Sequence, residues 1–338
     1  MDILIKSFNR PYYLDRCISS IYKFVKGDLS IKVLDDGTLM KYLSKIQVKY
    51  PNVKIILSNS YIEKNKAIEE NLLKGTEIDG FVVPIDMWIQ AVQEASPYFI
   101  ITEDDVWFTQ EIDVDELSAE MKKYDISLLK LGWLGKEYPI QKLTDKIFSN
   151  RLSHLFTMPR PIMEKLIFNK YKLFSILYRL GRVNHNTMKD LWVLYSILMG
   201  MYKKEYWLEV WKDSDKINEK KQLLNASIYY REHRNNPNLI AQLNEEAMKT
   251  TFVSSATNSY HMYGYNFDVN RFNFIINEKW FNDEFDVLQN FPKDFSESYL
   301  ISFLNQENHP NASAAEWKVW AEKFKAQYRK DGAQVDDN

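Results

Sequence analysis

An α/β fold built on a mostly parallel central sheet is what this sequence predicts, and two features predict it. Short apolar runs alternate with segments of helical period through the first hundred residues, and each run ends in polar or charged residues. The first run, DILIKS at 2–7, is followed by RPYYLDRCISSIYKF, in which Leu14, Cys17, Ile18 and Ile21 recur at helical spacing. SIKVLD at 30–35 is the next strand, TLMKYLSKIQVKY the next helix, and VKIILS at 53–58 the third strand. The helix IDMWIQAVQEA then leads into a fourth strand, YFIIT at 98–102. Open sheets of this kind bind ligands beyond the carboxyl ends of their strands. Here those ends read SFNRP (7–11), DDGT (35–38), SNS (58–60) and EDD (103–105), so a polar site is expected along one rim.

Composition bounds the function. With 338 residues and 45% hydrophobic content the chain can bury a sizeable core, in two domains or one elaborated domain. Lysine and arginine (44) balance aspartate and glutamate (46) to a net charge of -2, which leaves no basic excess to neutralise a nucleic-acid backbone. Cys17 is the one cysteine, so no intramolecular disulfide forms, and Met1 runs directly into the first strand with no apolar leader. A reducing, cytoplasmic location is expected. No window approaches the roughly 20 apolar residues that span a bilayer, so membrane contact would be peripheral.

Two acidic segments carry chemistry. DDGTL looks like the nucleophile loop of haloacid-dehalogenase-type phosphotransferases, Asp-x-Asp-Gly-Thr, but the position of the attacking aspartate is Leu34, which has no lone pair to offer. That leaves a plain strand end or a ligand rim. In YFIITEDDVWF, Glu103, Asp104 and Asp105 stop an apolar strand and are followed at once by apolar residues. An isolated EDD would be an acidic surface turn; between buried flanks the carboxylates are held together, where their repulsion demands a cation. Hard ions such as Mg2+ or Mn2+ take one or two carboxylates and complete their shell with substrate phosphate oxygens, and no Cys/His cluster suggests zinc.

In this order the motifs resemble nucleotide-sugar glycosyltransferases of the GT-A fold, particularly glycosyltransferase family 2, over about the first 200 residues. ILIKSFNRPYYLDRCISSI is similar to the family's opening strand, Ser/Thr-x-Asn-Arg loop and first helix; VLDDGT to its uridine-binding second strand; ITEDDVWF to its metal motif. The resemblance implies a Rossmann-like sheet with flanking helices, a UDP-sugar donor and Mn2+ or Mg2+. It gives Asp36 to the uracil edge, Asp105 to the metal, Asp104 to the ribose or a metal-bound water, and Ser7 and Arg10 to the base and phosphate pocket. The family's donor-binding segment between strands three and four survives only as EKNKAIEENLLKG, which leaves Lys64 to Lys66 without an implied contact.

An inverting transferase needs a carboxylate that takes the proton of the acceptor hydroxyl. In the family this base opens a helix after the metal motif, and HNTMKDLWVLYSILMG matches with Asp190; the same position suits a helix cap. Asp213 and Asp215 are the fallback. A downstream histidine completes the metal shell in some GT-A enzymes, and His261, in a polar and aromatic loop, is the candidate, with His185 competing. Trp107, after the metal motif, and Trp133, in the glycine-flanked LGWLGKEY, are candidates for packing an acceptor sugar.

Residues 1–215 are thus expected to form the catalytic domain, 216–330 a mainly helical region on the acceptor side, and 331–338 a disordered tail. In SAAEWKVWAEKFKAQYRK, Trp317, Trp320, Phe324 and Tyr328 share one helical face, which suits docking on the body or lying on an anionic membrane. The expected activity is metal-dependent, inverting transfer of a sugar from a UDP-sugar to a saccharide or glycolipid. A retaining transferase of the same fold, and a non-catalytic nucleotide-sugar-binding subunit, are the alternatives. A sugar-nucleotide pyrophosphorylase is disfavoured because SFNRPYY lacks a glycine-rich loop.

Overall fold

The computed structural model of the chain describes residues 1–76, 78, 82–151, 158–183, 192–195, 199–214, 218–256 and 267–335. Nine strands form its central sheet: β1 (Asp2–Ser7), β2 (Ser30–Asp35), β3 (Lys54–Leu57), β4 (Tyr98–Glu103), β5 (Leu128–Lys130), β6 (Ile140–Lys142), β7 (Ile147–Asn150), β8 (Gly200–Lys203) and β9 (Ile240–Leu243). They lie in the order β3-β2-β1-β4-β8-β5-β9-β7-β6. The first four are parallel, as expected. β8 runs antiparallel to both β4 and β5, so β5 and its parallel neighbour β9 point the same way as β1 to β4. β7 runs antiparallel to both β9 and β6, so the carboxyl ends of seven strands share one edge.

The residues of β1 explain why it is central. Ile3 and Ile5 pack into one core layer and Leu4 into the other, so both faces of the strand are covered. A strand buried on both faces reads as a continuous apolar run rather than an alternating one. The helix Pro11–Phe24 starts with proline, which lacks the amide that a first turn leaves unpaired anyway, and buries Leu14, Cys17, Ile18 and Ile21 against that core. The expected α/β class with a mostly parallel sheet and flanking helices is the class observed.

Residues beyond 215 are largely helical, in Glu219–Glu232, Val269–Phe281, Glu297–Glu307 and Ala314–Lys330, but they also place β9 between β5 and β7. The C-terminal helix buries Trp317 and Trp320, and the Trp317 indole N–H donates to the Val253 carbonyl at 3.0 Å. Its aromatic face is thus packed on the body, which overturns the membrane-lying alternative for this helix. Ala333 is buried and the Gln334 amide donates to the Leu134 carbonyl at 2.7 Å, so part of the expected tail is packed as well. Among the described residues no helix is long and apolar enough to cross a membrane.

Candidate active site

Backbone hydrogen bonds join the polar ends of β1, β2 and β4 into one surface. The Asp104 amide donates to the Lys6 carbonyl at 2.9 Å and the Asp36 amide to the Ser7 carbonyl at 3.0 Å. From the tip of β1, the Phe8 amide donates to Asp104 Oδ2 at 3.1 Å. The chain then turns through Asn9 at φ 53°, a left-handed conformation that asparagine tolerates better than most residues. The Asn9 amide donates to Thr38 Oγ1 at 2.8 Å, its side chain donates to Asn270 Oδ1 at 2.6 Å, and its carbonyl accepts from Asn277 Nδ2 at 3.0 Å. Two buried asparagines of the helix Val269–Phe281 therefore mould the SFNRP loop. Sequence reasoning missed them, although Asn270, Asn273 and Asn277 recur at helical spacing along one helix beside buried aromatic and aliphatic residues, and buried amides need partners.

The cation demanded by the acid pair is supplied by the protein. Arg10 Nη2 donates to Asp104 Oδ1 at 2.5 Å and Nη1 to Asp105 Oδ2 at 2.8 Å, with all three side chains buried or nearly so. Expected in the base and phosphate pocket, the guanidinium instead forks between the two carboxylates. Burial opposes its charge, but Asp104 and Asp105 outweigh burial and raise its pKa. Burial also pushes the Asp104 carboxyl up to about 7, with Asp105 adding to it while Arg10 pulls the other way.

At the end of β2 the two aspartates divide their roles. Asp35 is fully buried and its Oδ1 accepts from the amides of Gly37 and Thr38 at 3.0 and 2.8 Å, so it shapes the turn. Gly37 is required there: at φ +153° a Cβ would stand 2.8 Å from the Phe8 ring. Asp36 points to the rim, where Oδ1 accepts from Ser60 Oγ at 3.2 Å and Oδ2 pairs with Lys64. Lys64, which the sequence left without a contact, also lies 5.6 Å from the Phe8 ring centroid. Phe8 is half-buried between Asp36 and the acid pair and was also missed by sequence reasoning; its signal is an aromatic among the polar residues of a strand end.

Three of the four carboxylate oxygens of Asp104 and Asp105 have protein partners, whereas Asp105 Oδ1 is buried without one. One unpartnered hard oxygen is a single ligand for a divalent ion, which would take its remaining ligands from substrate and water. Among the described residues no three His, Cys, Asp or Glu side chains converge to hold a metal on their own. Ser7 is buried beneath the rim, where it pairs in register with Asp35. Asp190, His185, His261 and Asp215 lie outside the described residues, and Asp213 is exposed in a turn.

The two tryptophans part company. Trp107 is 1% exposed, stacks on Tyr13, receives the Arg16 guanidinium at 4.4 Å and donates its indole N–H to the Pro292 carbonyl at 2.9 Å. The expectation that it packs an acceptor sugar is overturned, because Val106–Phe108 pairs with Met248–Thr250 and faces this ring into the core. Trp133 is half-buried just beyond β5, on the same sheet edge as the acid pair. Its loop turns through Leu134 and Gly135, both at positive φ, and Glu246 anchors it by accepting from the amides of Trp133 and Gly135.

No family model matches the sequence, and no curated protein does. Among solved structures the chain is similar to S. aureus TarS 1-349, with 14% identity over 90% of this chain and 68% of that one, at a TM-score of 0.40. It is similar to glucosyl-3-phosphoglycerate synthase from Mycobacterium tuberculosis in complex with Mg2+ and uridine diphosphate, with 13% identity, coverage of 84% and 80%, and a TM-score of 0.39. It is also similar to the galactosyltransferase LgtC in complex with donor and acceptor sugar analogs, with 10% identity, coverage of 74% and 86%, and a TM-score of 0.32. Such values leave the chemistry to be read from this chain's own side chains.

Proposed function

We propose that the chain is a nucleotide-sugar glycosyltransferase that binds a UDP-sugar at the carboxyl ends of β1, β2 and β4 and transfers the sugar to a saccharide or glycolipid hydroxyl. The observation that carries this reading is the joining of those strand ends through Phe8, with Asp36 on one side of it and the Arg10-held acid pair on the other. An acceptor carboxylate, an aromatic face and a charged cluster in that order suit a base, a ribose and a diphosphate.

In this reading Asp36 accepts the imide N–H of the uracil once Lys64 yields, and the half-buried Phe8 ring offers the base a face. Asp104 is held by the Phe8 amide beside the ribose. Asp105, through its unpartnered Oδ1, would hold Mn2+ or Mg2+, with Arg10 fixing the other oxygen of the same carboxylate. When bound, such a cation offsets the negative charge that grows on the departing diphosphate. Asp190 takes the proton from the acceptor hydroxyl as that oxygen bonds to the anomeric carbon and the bond to the diphosphate breaks, which inverts the configuration. Trp133 packs against the acceptor sugar, and His261 is the further candidate ligand.

Calorimetric titration of UDP with and without Mn2+, followed by UDP release from a panel of UDP-sugars, tests the proposal. Metal-enhanced UDP binding is expected. Absence of binding by UDP or any other nucleoside diphosphate, with or without metal, would overturn it.

A further inference from the structure

A face remote from this chemistry in character is formed by residues 160–182. It carries the helix Arg160–Ile167, a short turn, and the helix Leu173–Arg179, whose sequence is LFSILYR. Five of those seven residues are apolar, yet none of the seven is buried, which is unusual for a helix of that composition. The first helix does anchor the segment, burying Met163, Leu166 and Ile167. On the second, Phe174 and Leu177 pack half-buried against the core, whereas Ile176 and Tyr178 are exposed, as are Ile162 on the first helix, Tyr171 in the turn (84%) and Leu180 just beyond (66%). Clustered exposure of this kind marks an interaction surface, whereas scattered single residues do not.

The charge of the same segment says what covers it. Between residues 160 and 182 there are six cations and a single acid, Glu164, in a chain whose net charge is -2. Among the described residues only Lys170 of the six is ion-paired, to Glu164 at 2.5 Å. Among the described residues Lys172, Arg179 and Arg182 form no ion pair, Arg160 and Lys165 act on Glu164 only at longer range, and Lys165 lies 5.6 Å from the ring centroid of Tyr171. Exposed leucine and isoleucine interspersed with unpaired lysine and arginine match the boundary of an anionic bilayer, where aliphatic groups enter the acyl region and cations meet the lipid phosphates. A nucleic acid would use the cations but offers nothing to bury the aliphatic groups.

We infer that residues 160–182 form a docking surface for an anionic phospholipid membrane, with Tyr171, Ile176 and Leu180 inserted and Lys172, Arg179 and Arg182 at the headgroups. The inference does not rest on the glycosyltransferase reading, and it locates membrane contact away from the C-terminal helix.

The test is co-sedimentation of the intact chain with vesicles of mixed phosphatidylglycerol and phosphatidylcholine, against vesicles of phosphatidylcholine alone. Binding is expected to the anionic vesicles only and to fall with added salt. Lys172→Glu combined with Arg179→Glu should weaken it by about 30-fold or more, from roughly one cation's worth of attraction per site removed. Tyr171→Ser combined with Leu180→Ser should weaken it too, and both pairs, being exposed, should keep the wild-type melting temperature. No binding to anionic vesicles at low salt, or binding untouched by the charge reversal, would overturn the inference. Loss by charge reversal with no effect of the serine pair would also overturn it, since the surface would then be reading a polyanion such as nucleic acid. UDP titration in the same variants keeps this outcome separate from the fate of the nucleotide site.

Discussion

Lys64 closes an ion pair onto Asp36 at the end of β2, in the pocket where a uracil imide would be read. Both side chains are largely withdrawn from solvent, so the pair fixes the position of the Asp36 carboxylate before ligand arrives. Asp36→Ala should weaken UDP and UDP-sugar alike by roughly 10- to 150-fold, the usual scale for losing a charged acceptor, and by the same factor with or without metal. Lys64→Met should lower the melting temperature, because it strands a buried carboxylate, without weakening UDP. Calorimetric titration of the two variants separates these effects; equal UDP affinity in wild type and Asp36→Ala would reduce DDGT to a strand end.

Asp105→Asn is expected to retain the fold and to lose the part of UDP affinity that depends on Mn2+. The substitution keeps the shape of the side chain that meets Arg10 but removes the anionic oxygen left over at Oδ1. UDP titration in Mn2+ and in chelator gives the comparison. An undiminished Mn2+ effect in the variant would remove Asp105 from the metal site.

Asp190→Asn should leave UDP binding intact while lowering transfer by ~100-fold or more, the customary loss for a general base. Activity per folded molecule and melting temperature are measured together. A large drop in melting temperature with normal activity per folded molecule would make Asp190 a helix cap only.

A pH effect is expected from Lys130, on β5. Its side chain is 3% exposed, its ammonium lies 4.4 Å from the Tyr138 ring centroid, and among the described residues no carboxylate pairs with it. Burial, helped by the charge of Lys136, brings its pKa down to about 7. Between about 7 and the ordinary lysine value near 10.4, the unfolded chain binds the proton that the folded chain has released, so stability contributed by this group rises with pH there. The slope is at most about 1.4 kcal/mol per pH unit. Lys130→Met should flatten that rise and stabilise the protein most at pH 7 and below. Denaturant titrations of both proteins across this range provide the measurement, and parallel curves would refute it.

What the sequence alone determined is the class of fold, the first four strands and the position of the rim. β1 to β4 were legible because strands covered on both faces are short apolar runs, and a polar residue that interrupts such a run marks where cover ends. Asp36, Asp104 and Asp105 were placed at the rim on that ground. The later sheet was less legible: β6, β7, β8 and β9 are strands of three or four residues, too short to carry a period of their own, and nothing local says that β8 enters antiparallel between β4 and β5. The fate of Trp107 was likewise decided far away, by the pairing of its strand with Met248–Thr250. Only the tertiary structure gave Arg10 to the acid pair, Lys64 to Asp36 and the asparagines of Val269–Phe281 to the SFNRP loop. The physical reason is range. Hydrophobic period is written within a few residues of chain, whereas a charge finds its partner by proximity in space, and Arg10 and Asp104 are 94 residues apart until β1 and β4 lie side by side.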